Sequence, residues 1–355
     1  DEFEDSSQEL VSPASLGIAA RTGSARREGK DWILPVEAQL FQRNEGRHAM
    51  VLGLCKQLLF RTLHGVSEKD FEGRAGQLYE ERARLIFRSL QLPLSSERSL
   101  QRLEIRIGGR QEGDGGWRKL PPTDAYGLSE VNVRFADSEV ALADRLRGRI
   151  SVEVRLADSP LNVEENMPTA APVRTVAHLV GEEGLGVISD IDDTVKVTEV
   201  FHGIKAVLKN TFLKDFKPVH GMAELFQGWQ RERGASFHYV SKSPPELHAP
   251  LSEFLRREGF PVSSVHLCPL INRERANFKM RQVTSLLEQF PGRKFLLVGD
   301  SGEKDAEVYA EILRRHPDQV LKAFIRDVAP GERSERARAA FQGLESEKWQ
   351  GFSEP

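Results

Sequence analysis

The stretch that decides the fold of this 355-residue chain is Val187-Ile188-Ser189-Asp190-Ile191-Asp192-Asp193-Thr194. An apolar run is followed at once by three carboxylates and a threonine, which is typical of a buried strand that ends in a polar loop. Placing carboxylates side by side is unfavourable unless a cation or a proton separates them. We therefore expect Asp190 and Asp192 to lie together at a strand end and to bind a divalent metal. The alternative is a turn in which these aspartates cap a helix.

The residues after this stretch predict strands that are separated by single helices. The predicted strands are 186–190, 236–241, 262–267, 294–300 and 320–325, and the predicted helices are 223–233, 246–258, 278–290 and 305–315. This alternation predicts parallel crossover connections, and hence a three-layer, doubly wound α/β domain. Ligands of such sheets bind at the carboxyl ends of the strands.

Residues with suitable chemistry lie at the ends of four of these elements. Ser241 ends the second predicted strand, and Lys279 opens the third predicted helix. Asp300 ends the fourth predicted strand, and Asp305 begins the helix that follows it. Suitable residues at several separate element ends are a stronger signal than any single motif.

Each of these residues also has a simpler interpretation. Ser241 and Asp305 are both residue types that cap helices. Lys279 has a neighbouring competitor in Arg281, and a lysine in the first turn of a helix is usually solvated. We favour the functional interpretation for all three, because the signals occur together and in a consistent order.

The order of these motifs resembles that of the haloacid dehalogenase superfamily, which has Asp-x-Asp-x-Thr, then Ser, then Lys, then Gly-Asp-x-x-x-x-Asp. Over roughly residues 175–330, the chain more specifically resembles the catalytic family of actin-patch-associated phosphatidate phosphatases. The motifs that carry this resemblance are Ser-Asp-Ile-Asp-Asp-Thr from Ser189, Val-Ser-Lys-Ser-Pro from Val240, and Gly-Asp-Ser-Gly-x-x-Asp-x-Glu-x-Tyr from Gly299. One departure is Lys242-Ser-Pro-Pro245, where we expect Asn-Ser-Pro-Trp in many members.

The resemblance implies a phosphohydrolase that acts through an aspartyl-phosphate. Asp190 is expected to attack the phosphorus as the nucleophile. Asp192 is expected to protonate the departing alkoxide and then to activate water. Ser241 and Lys279 are expected to hold the phosphoryl oxygens, and all four residues are therefore predicted catalytic residues.

The resemblance also implies a magnesium ion. Its expected ligands are Asp190, the carbonyl group of Asp192 and Asp300. Asp305 is expected to support the metal or the catalytic lysine, and Thr194 to hold the nucleophile loop through its hydroxyl.

The favoured substrate is phosphatidate or a related lipid phosphomonoester, and two alternatives stay open. One is a phosphatase for soluble phosphomonoesters, and the other is a non-catalytic scaffold that binds phosphate or a partner. Residues Val195–Val219 occupy the position of the superfamily's flap, and their apolar residues and lysines suit a peripheral contact with an anionic membrane. We slightly favour the simpler interpretation, in which they pack on the domain as an amphipathic helix.

The first half of the chain has a different pattern. Residues 1–30 are polar without a sustained period and predict a flexible tail. Residues 31–165 contain segments in which apolar and polar residues alternate, which predicts an α+β or β-sandwich-like domain. The prolines of 158–172 predict a linker, 175–330 form the predicted catalytic domain, and 331–355 form a predicted polar tail.

Composition and charge exclude several classes of function. A net charge of −3 provides no chain-wide basic field, so no nucleic-acid partner is expected. No apolar run approaches the ~18 residues that a membrane span requires. Cys55 and Cys268 lie in different predicted domains, and we expect both to be free.

The first residue is Asp1 rather than methionine. If a signal peptide has been removed, which we favour, the protein is exported or periplasmic, and otherwise it is cytoplasmic.

Overall fold

The structure, a computed structural model, describes residues 16–42, 53, 56–57, 68–86, 103–108, 116–157, 170–269, 275–328 and 331–355. These residues form a mixed α/β protein with two β-sheets and eight α-helices of defined bounds. The α/β class expected from the sequence is thereby confirmed. Among the described helices, none is both long and apolar enough to cross a membrane.

The first sheet is built mainly from antiparallel strands. Its strands are β1 (Leu16–Thr22), β2 (Ser24–Glu28), β3 (Asp31–Gln42), β4 (Leu103–Ile107), β5 (Arg118–Lys119), β6 (Leu128–Ala136), β7 (Arg149–Leu156) and β8 (Val173–Val180). They follow the order β1-β3-β2-β8-β7-β4-β5, and β6 pairs with β3. Strand β3 buries Leu34, Val36, Ala38 and Leu40 at alternate positions, as a strand that covers one core must. The helices α1 (Gly73–Ile86) and α2 (Leu142–Arg147) lie in this half of the chain.

The second sheet is entirely parallel. Its strands are β9 (Gly184–Ser189), β10 (Ser236–Ser241), β11 (Ser264–Leu267), β12 (Arg293–Asp300), β13 (Val320–Arg326) and β14 (Trp349–Phe352), in the order β11-β10-β9-β12-β13-β14. The helices are α3 (Ile204–Phe212), α4 (Met222–Arg233), α5 (His248–Arg257), α6 (Phe278–Gln289), α7 (Asp305–Arg315) and α8 (Glu332–Ala340). Since β9 and β12 are central neighbours, the residues that follow them meet at one edge of the sheet.

Each face of this parallel sheet is covered by a hydrophobic cluster. Ile188 and Leu297 belong to one cluster, whereas Val187 and Val298 belong to the other. Neighbouring residues of a strand point to opposite faces of the sheet. Because both clusters also contain residues of the helices, helices cover both faces.

The structure corrects three expected boundaries. Residues 16–28 were expected to belong to a flexible tail, but they form β1 and β2. Residues 175–180 were expected in the second domain, but they pair with the first sheet as part of β8. Residues 331–355 were expected to be a polar tail, yet they contain α8 and the paired strand β14. Such short segments carry too few apolar residues for a periodic signal, and their partners are distant in the sequence. Residues 1–15 and 158–169, which include most of the predicted linker, lie outside the described residues.

Direct contacts join the two sheets. The hydroxyl groups of Ser24 on β2 and Ser264 on β11 are 3.1 Å apart. Arg21 on β1 donates to the carbonyl oxygen of Pro245 at 3.4 Å, four residues after Ser241. Strands of the first sheet therefore contact the edge of the second sheet and a loop that follows one of its strands.

Candidate active site

The carboxyl end of the parallel sheet collects the residues that the sequence singled out. Asp190 follows β9 directly, Ser241 ends β10 and Asp300 ends β12. Lys279 lies in the first turn of α6, and Asp305 begins α7. All five side chains are buried, with exposed fractions of 3% or less.

Lys279 is the centre of a group of buried carboxylates. Its ammonium nitrogen lies 2.7 Å from Asp190 Oδ1, 2.5 Å from Asp305 Oδ1 and 3.5 Å from Glu303 Oε2. Burial lowers the pKa of Lys279, but the neighbouring carboxylates outweigh burial and raise it well above its usual value. Lys279 is therefore held as a cation beside Asp190.

Asp190, Asp300 and Asp305 can together offer oxygens to a metal ion. One carboxylate oxygen from each lies within 4.8 Å of the others. Burial raises the pKa of Asp190 and of Asp300, and repulsion from neighbouring carboxylates raises both further, against the pull of Lys279. A divalent cation is the ligand that relieves such repulsion.

One oxygen of Asp300 supports this interpretation. Its Oδ1 accepts a hydrogen bond of 2.6 Å from the Gly302 amide. Its Oδ2 is buried and has no hydrogen-bond partner among the described residues. A buried carboxylate oxygen without a partner is costly, and a bound cation would satisfy it. The residues present therefore fit a divalent metal with oxygen ligands.

Asp192 faces a different set of partners. Its Oδ2 accepts from Ser241 at 2.8 Å and from Ser243 at 3.1 Å. Its Oδ1 accepts from Thr198 at 2.7 Å and lies 2.8 Å from the Lys196 ammonium nitrogen. Burial opposes the charge of Asp192, but Lys196 and these hydroxyl groups lower its pKa well below the usual range. Without a bound phosphate, its side chain is therefore ionised and oriented.

Ser241 thus contacts Asp192, whereas the sequence predicted a contact with a phosphoryl group. Its hydroxyl donates to Asp192 and accepts a hydrogen bond of 2.9 Å from the Ser243 amide. Thr194 donates to Asp190 Oδ2 at 3.3 Å, so its hydroxyl does contact the predicted nucleophile.

Lys196 is a residue of the site that sequence reasoning missed. It is 1% exposed, it pairs with Asp192, and its ammonium nitrogen lies 4.9 Å from the centre of the Phe216 ring. The available signal was a lysine four residues after an aspartate in a loop. Its burial depends on Phe216, which is distant in sequence, so the signal was weak.

Asp193 organises the loop between Asp190, the predicted nucleophile, and α3. It has a backbone φ of +60°, which is uncommon for a residue other than glycine. Its carboxylate accepts hydrogen bonds of 2.6 to 2.8 Å from the amides of Thr198, Glu199 and Val200. These bonds offset the unfavourable backbone conformation and hold the loop in place.

Glu303 and Lys242 form the second part of the site that was missed. Lys242 lies 3.0 Å from Glu303 Oε2, so the carboxylate lies between Lys242 and Lys279. Burial alone would raise the pKa of Glu303, but the two lysines lower it. Lys242 is also the position at which the second motif departs from the expected asparagine.

The segment before α3 lies beside the loop that follows Asp300. Arg333 on α8 donates to the Gly302 carbonyl oxygen at 2.7 Å and to the Phe201 carbonyl oxygen at 3.4 Å. A Cβ atom added to Gly302 would lie 2.8 Å from Asp300 Oδ1 and 3.7 Å from the Cβ of Phe201. Glycine is therefore needed where the chain passes Asp300, and the α3 segment begins at the edge of the site.

Comparison with known proteins agrees with the motifs. Residues 185–327 match the family model described as phosphatidate phosphatase APP1, catalytic domain. The chain is 31% identical over 191 residues to Phosphatidate phosphatase APP1 of Saccharomyces cerevisiae, which is 50% of this chain and 32% of that protein. It is 33% identical over 159 residues to an uncharacterized protein of Schizosaccharomyces pombe, which is 42% of this chain and 26% of that protein.

These alignments are partial, since the chain spans about a third or less of the length of each curated relative. A solved structure of Parabacteroides merdae beta-glucuronidase covers 88% of this chain and 34% of that chain, at 9% identity and a TM-score of 0.28. So low a score supports no conclusion about the fold. The resemblance predicted from the motifs is confirmed over the segment that carries the candidate site, because residues 185–327 match the catalytic domain of the APP1 phosphatidate phosphatase family.

Proposed function

We propose that residues 185–327 form a magnesium-dependent phosphatase whose favoured substrate is phosphatidate or a related lipid phosphomonoester. The observation that carries the proposal is the buried contact of Lys279 with Asp190 and Asp305, next to Asp300. A fixed cation, a carboxylate nucleophile and a set of metal ligands are the groups that phosphoryl transfer requires. They occur in the segment that matches a family described as a phosphatidate phosphatase.

Asp190 acts as the nucleophile in this proposal. One of its carboxylate oxygens attacks the phosphorus, and the bond from phosphorus to the leaving alkoxide breaks. Lys279, held 2.7 Å from Asp190 Oδ1, attracts the phosphoryl oxygens and stabilises their negative charge.

Asp192 moves the protons. It donates a proton to the departing alkoxide, and then takes one from the water that cleaves the aspartyl-phosphate and restores Asp190 as a carboxylate. The lowered pKa of Asp192 keeps the carboxylate ionised, as the second step requires, although it also makes the carboxylate a weaker base. The first step requires a proton on Asp192, and the approach of an anionic phosphate favours that proton. Ser241 and Thr198 orient the side chain throughout.

The proposed ligands of Mg²⁺ are Asp190, Asp300 and the carbonyl group of Asp192. When bound, the ion supplies the positive charge that offsets repulsion between the substrate phosphate and the carboxylate nucleophile. Asp305 holds Lys279 in position, and Thr194 holds Asp190.

We also infer a Rossmann-like domain of the haloacid dehalogenase type, preceded by a separate N-terminal domain. The parallel sheet, the apolar clusters on its two faces and the candidate residues at its carboxyl edge support the first assignment. The change from the first sheet to the second supports a boundary between Val180 and Gly184. The family match begins at residue 185.

The test is a hydrolysis assay with and without Mg²⁺, on phosphatidate and on soluble phosphomonoesters. The proteins are the wild type, Asp190→Asn and Asp318→Asn. Asparagine keeps the shape of Asp190 but cannot act as the nucleophile, so we expect a loss of about 10³-fold or more. Asp318 is exposed just before β13, at the opposite edge of the sheet, and its substitution should leave the rate unchanged.

The possible outcomes separate the parts of the proposal. Absence of Mg²⁺-dependent hydrolysis of every phosphomonoester would overturn the phosphatase assignment. Activity that survives in Asp190→Asn would overturn the nucleophile. Hydrolysis of soluble esters without hydrolysis of phosphatidate would overturn the lipid substrate.

A further inference from the structure

Helix α3 turns a polar residue inward and leaves an isoleucine exposed. Asn210 is buried, and its amide donates to the Thr198 carbonyl oxygen at 2.8 Å and to Glu199 Oε2 at 2.9 Å. These bonds anchor one side of the helix to the loop that follows Asp192. The opposite side is therefore turned outward, and Ile204 on it is 63% exposed.

The outward side of α3 combines apolar residues with lysines. Ile204, Leu208 and Phe212 follow at intervals of four residues, which places them along one side of a helix. Leu208 and Phe212 are half-buried, whereas Lys205 and Lys209 beside them are exposed. These five residues are called the α3 face below.

The formal charge of residues 200–214, which contain the α3 face, is positive. Residues 200–214 contain three lysines and no carboxylate. Of the acidic residues that flank this segment, Asp215 pairs with Arg74 at 2.8 Å, whereas Glu199 accepts from the neutral amide of Asn210 and keeps its negative charge. The face therefore presents an exposed isoleucine within a cationic surface.

The α3 face begins beside the candidate active site. Phe201 lies three residues before Ile204, and Arg333 joins the Phe201 backbone to Gly302 in the loop after Asp300. A molecule that covers the face therefore also lies close to the loop that follows Asp300.

We propose that the α3 face is a docking surface for an anionic lipid bilayer, which presents a lipid phosphomonoester to Asp190. This inference rests on the proposed function for the reaction, but the docking itself does not require hydrolysis. An anionic surface attracts Lys205 and Lys209, and an exposed isoleucine enters the interfacial region of the bilayer. A headgroup that stays in the bilayer can reach a buried carboxylate only if the protein surface around the site meets the membrane.

A second helix provides a matched control. Leu146 on α2 is 80% exposed and lies between Arg145 and Arg147, so its local composition resembles that of Ile204. It belongs to the first half of the chain and precedes β7 of the first sheet. If any exposed apolar residue beside basic residues bound lipid, substitutions on both helices would weaken binding. The proposal predicts that only substitutions on α3 do so.

The test measures binding of the full chain to vesicles by co-sedimentation. One set of vesicles contains phosphatidylcholine alone, and the other adds phosphatidylserine, which is anionic but is not a phosphomonoester. The proteins are the wild type, Ile204→Glu, the double variant Lys205→Glu/Lys209→Glu, and Leu146→Glu. Thermal melting of each variant verifies that it is folded.

We expect the wild type and Leu146→Glu to bind the anionic vesicles and not the neutral ones. Ile204→Glu and the double lysine variant should bind about tenfold more weakly or worse. Equal binding of these variants and the wild type, absence of wild-type binding, or an equal loss in Leu146→Glu would each overturn the proposal. A wild type that hydrolyses phosphatidate without binding the vesicles would overturn only the docking surface. One that binds the vesicles without hydrolysing any phosphomonoester would overturn only the proposed function.

Discussion

Lys279 and the carboxylates around it determine the charge of the candidate site. The four buried or half-buried carboxylates of Asp190, Asp300, Glu303 and Asp305 surround it, and Lys242 adds a second ammonium group through Glu303. If all are ionised, four negative and two positive charges leave a net charge of −2. One divalent cation would neutralise that charge, so the site has room in its charge balance for both a metal and the lysine.

Glu303 pairs with Lys242 and Lys279, and a bound phosphate group could pair with the same two lysines. In Glu303→Gln the shape is kept but the negative charge is lost, so Lys242 and Lys279 become available to an anion. Because the pair with Lys242 is partly exposed, we expect an effect of about 1 kcal/mol, or roughly fivefold tighter binding of inorganic phosphate. Phosphate inhibition of hydrolysis in the presence of Mg²⁺ measures it.

The control for this prediction is Glu311→Gln. Glu311 pairs with Arg315 on the exposed side of α7 at 2.7 Å, so the same substitution removes an ion pair far from the site. Its phosphate inhibition should match that of the wild type. Unchanged or weaker phosphate binding in Glu303→Gln would contradict the role assigned to this carboxylate.

Sequence reasoning at this scale succeeded where a residue follows a strand end. Asp190, Ser241 and Asp300 were predicted to lie together because parallel strands bring their carboxyl ends to one edge, and they do. Lys196 and Glu303 were missed because their functions depend on contacts with Phe216 and Lys242, which local spacing does not encode. The metal and the catalytic functions of the predicted residues stay predictions.

At the scale of elements, α1 supports the α3 segment, and Arg82 is its buried contact. Arg82 on α1 is 4% exposed and donates to the carbonyl oxygens of Thr211 and Lys214 at 2.5 and 2.7 Å. Its guanidinium group also lies 3.9 Å from the centre of the Phe216 ring, and Lys196 approaches the same ring. An element of the first half of the chain is thus connected to a contact of Asp192.

We expect Arg82→Met to lower the free energy of unfolding by about 2–3 kcal/mol, because two carbonyl oxygens lose a charged donor. Arg84→Met on the same helix is the control. Arg84 is exposed, and its contact is a surface ion pair with Glu80 at 3.6 Å. Its effect should stay within about 0.5 kcal/mol. Urea unfolding measures both, and similar losses in the two variants would show that Arg82 has no special function.

The sequence predicted long periodic elements well and short paired ones poorly. Helix α7 occupies 305–315 and strand β10 occupies 236–241, as expected from their patterns. Strands β2 and β14 were missed because five and four residues are too few to show a period. Strand β2 pairs with the adjacent β3 and with the distant β8, and β14 pairs with β13 beyond a helix. The pairing with β8 and with β13 depends on the tertiary structure, which local patterns do not encode.

At the scale of the whole molecule, the first half of the chain contacts the second half near the candidate site. Arg21 contacts the carbonyl oxygen of Pro245 after β10, Ser24 contacts Ser264, and Arg82 holds the end of α3. The first half of the chain therefore does more than precede the segment that matches the family. Arg21 on β1 and Arg82 on α1 each contact a segment that borders the candidate site.

The stability of the whole molecule should respond to Mg²⁺ and to pH together. Burial raises the pKa of Asp190 and of Asp300. Without a bound cation, the unfolded chain releases these protons first, so the free energy of unfolding falls as pH rises above about 4. Because Mg²⁺ binds the ionised carboxylates, its stabilisation should be larger at about pH 7.5 than at about pH 5. At a concentration near 100 times its Kd, the expected gain is about 2.7 kcal/mol.

Asp300→Asn tests this dependence, because the amide oxygen can still accept the hydrogen bond from Gly302 while the charge is lost. Near pH 7.5 and without Mg²⁺, this variant should melt at a higher temperature than the wild type, since one of the repelling carboxylates is gone. Its melting temperature should no longer rise when Mg²⁺ is added. Asp318→Asn, at an exposed position, should keep the wild-type response. An equal response to Mg²⁺ in Asp300→Asn and the wild type would show that the cation binds elsewhere, and the carboxylates at the end of β12 would then need another explanation.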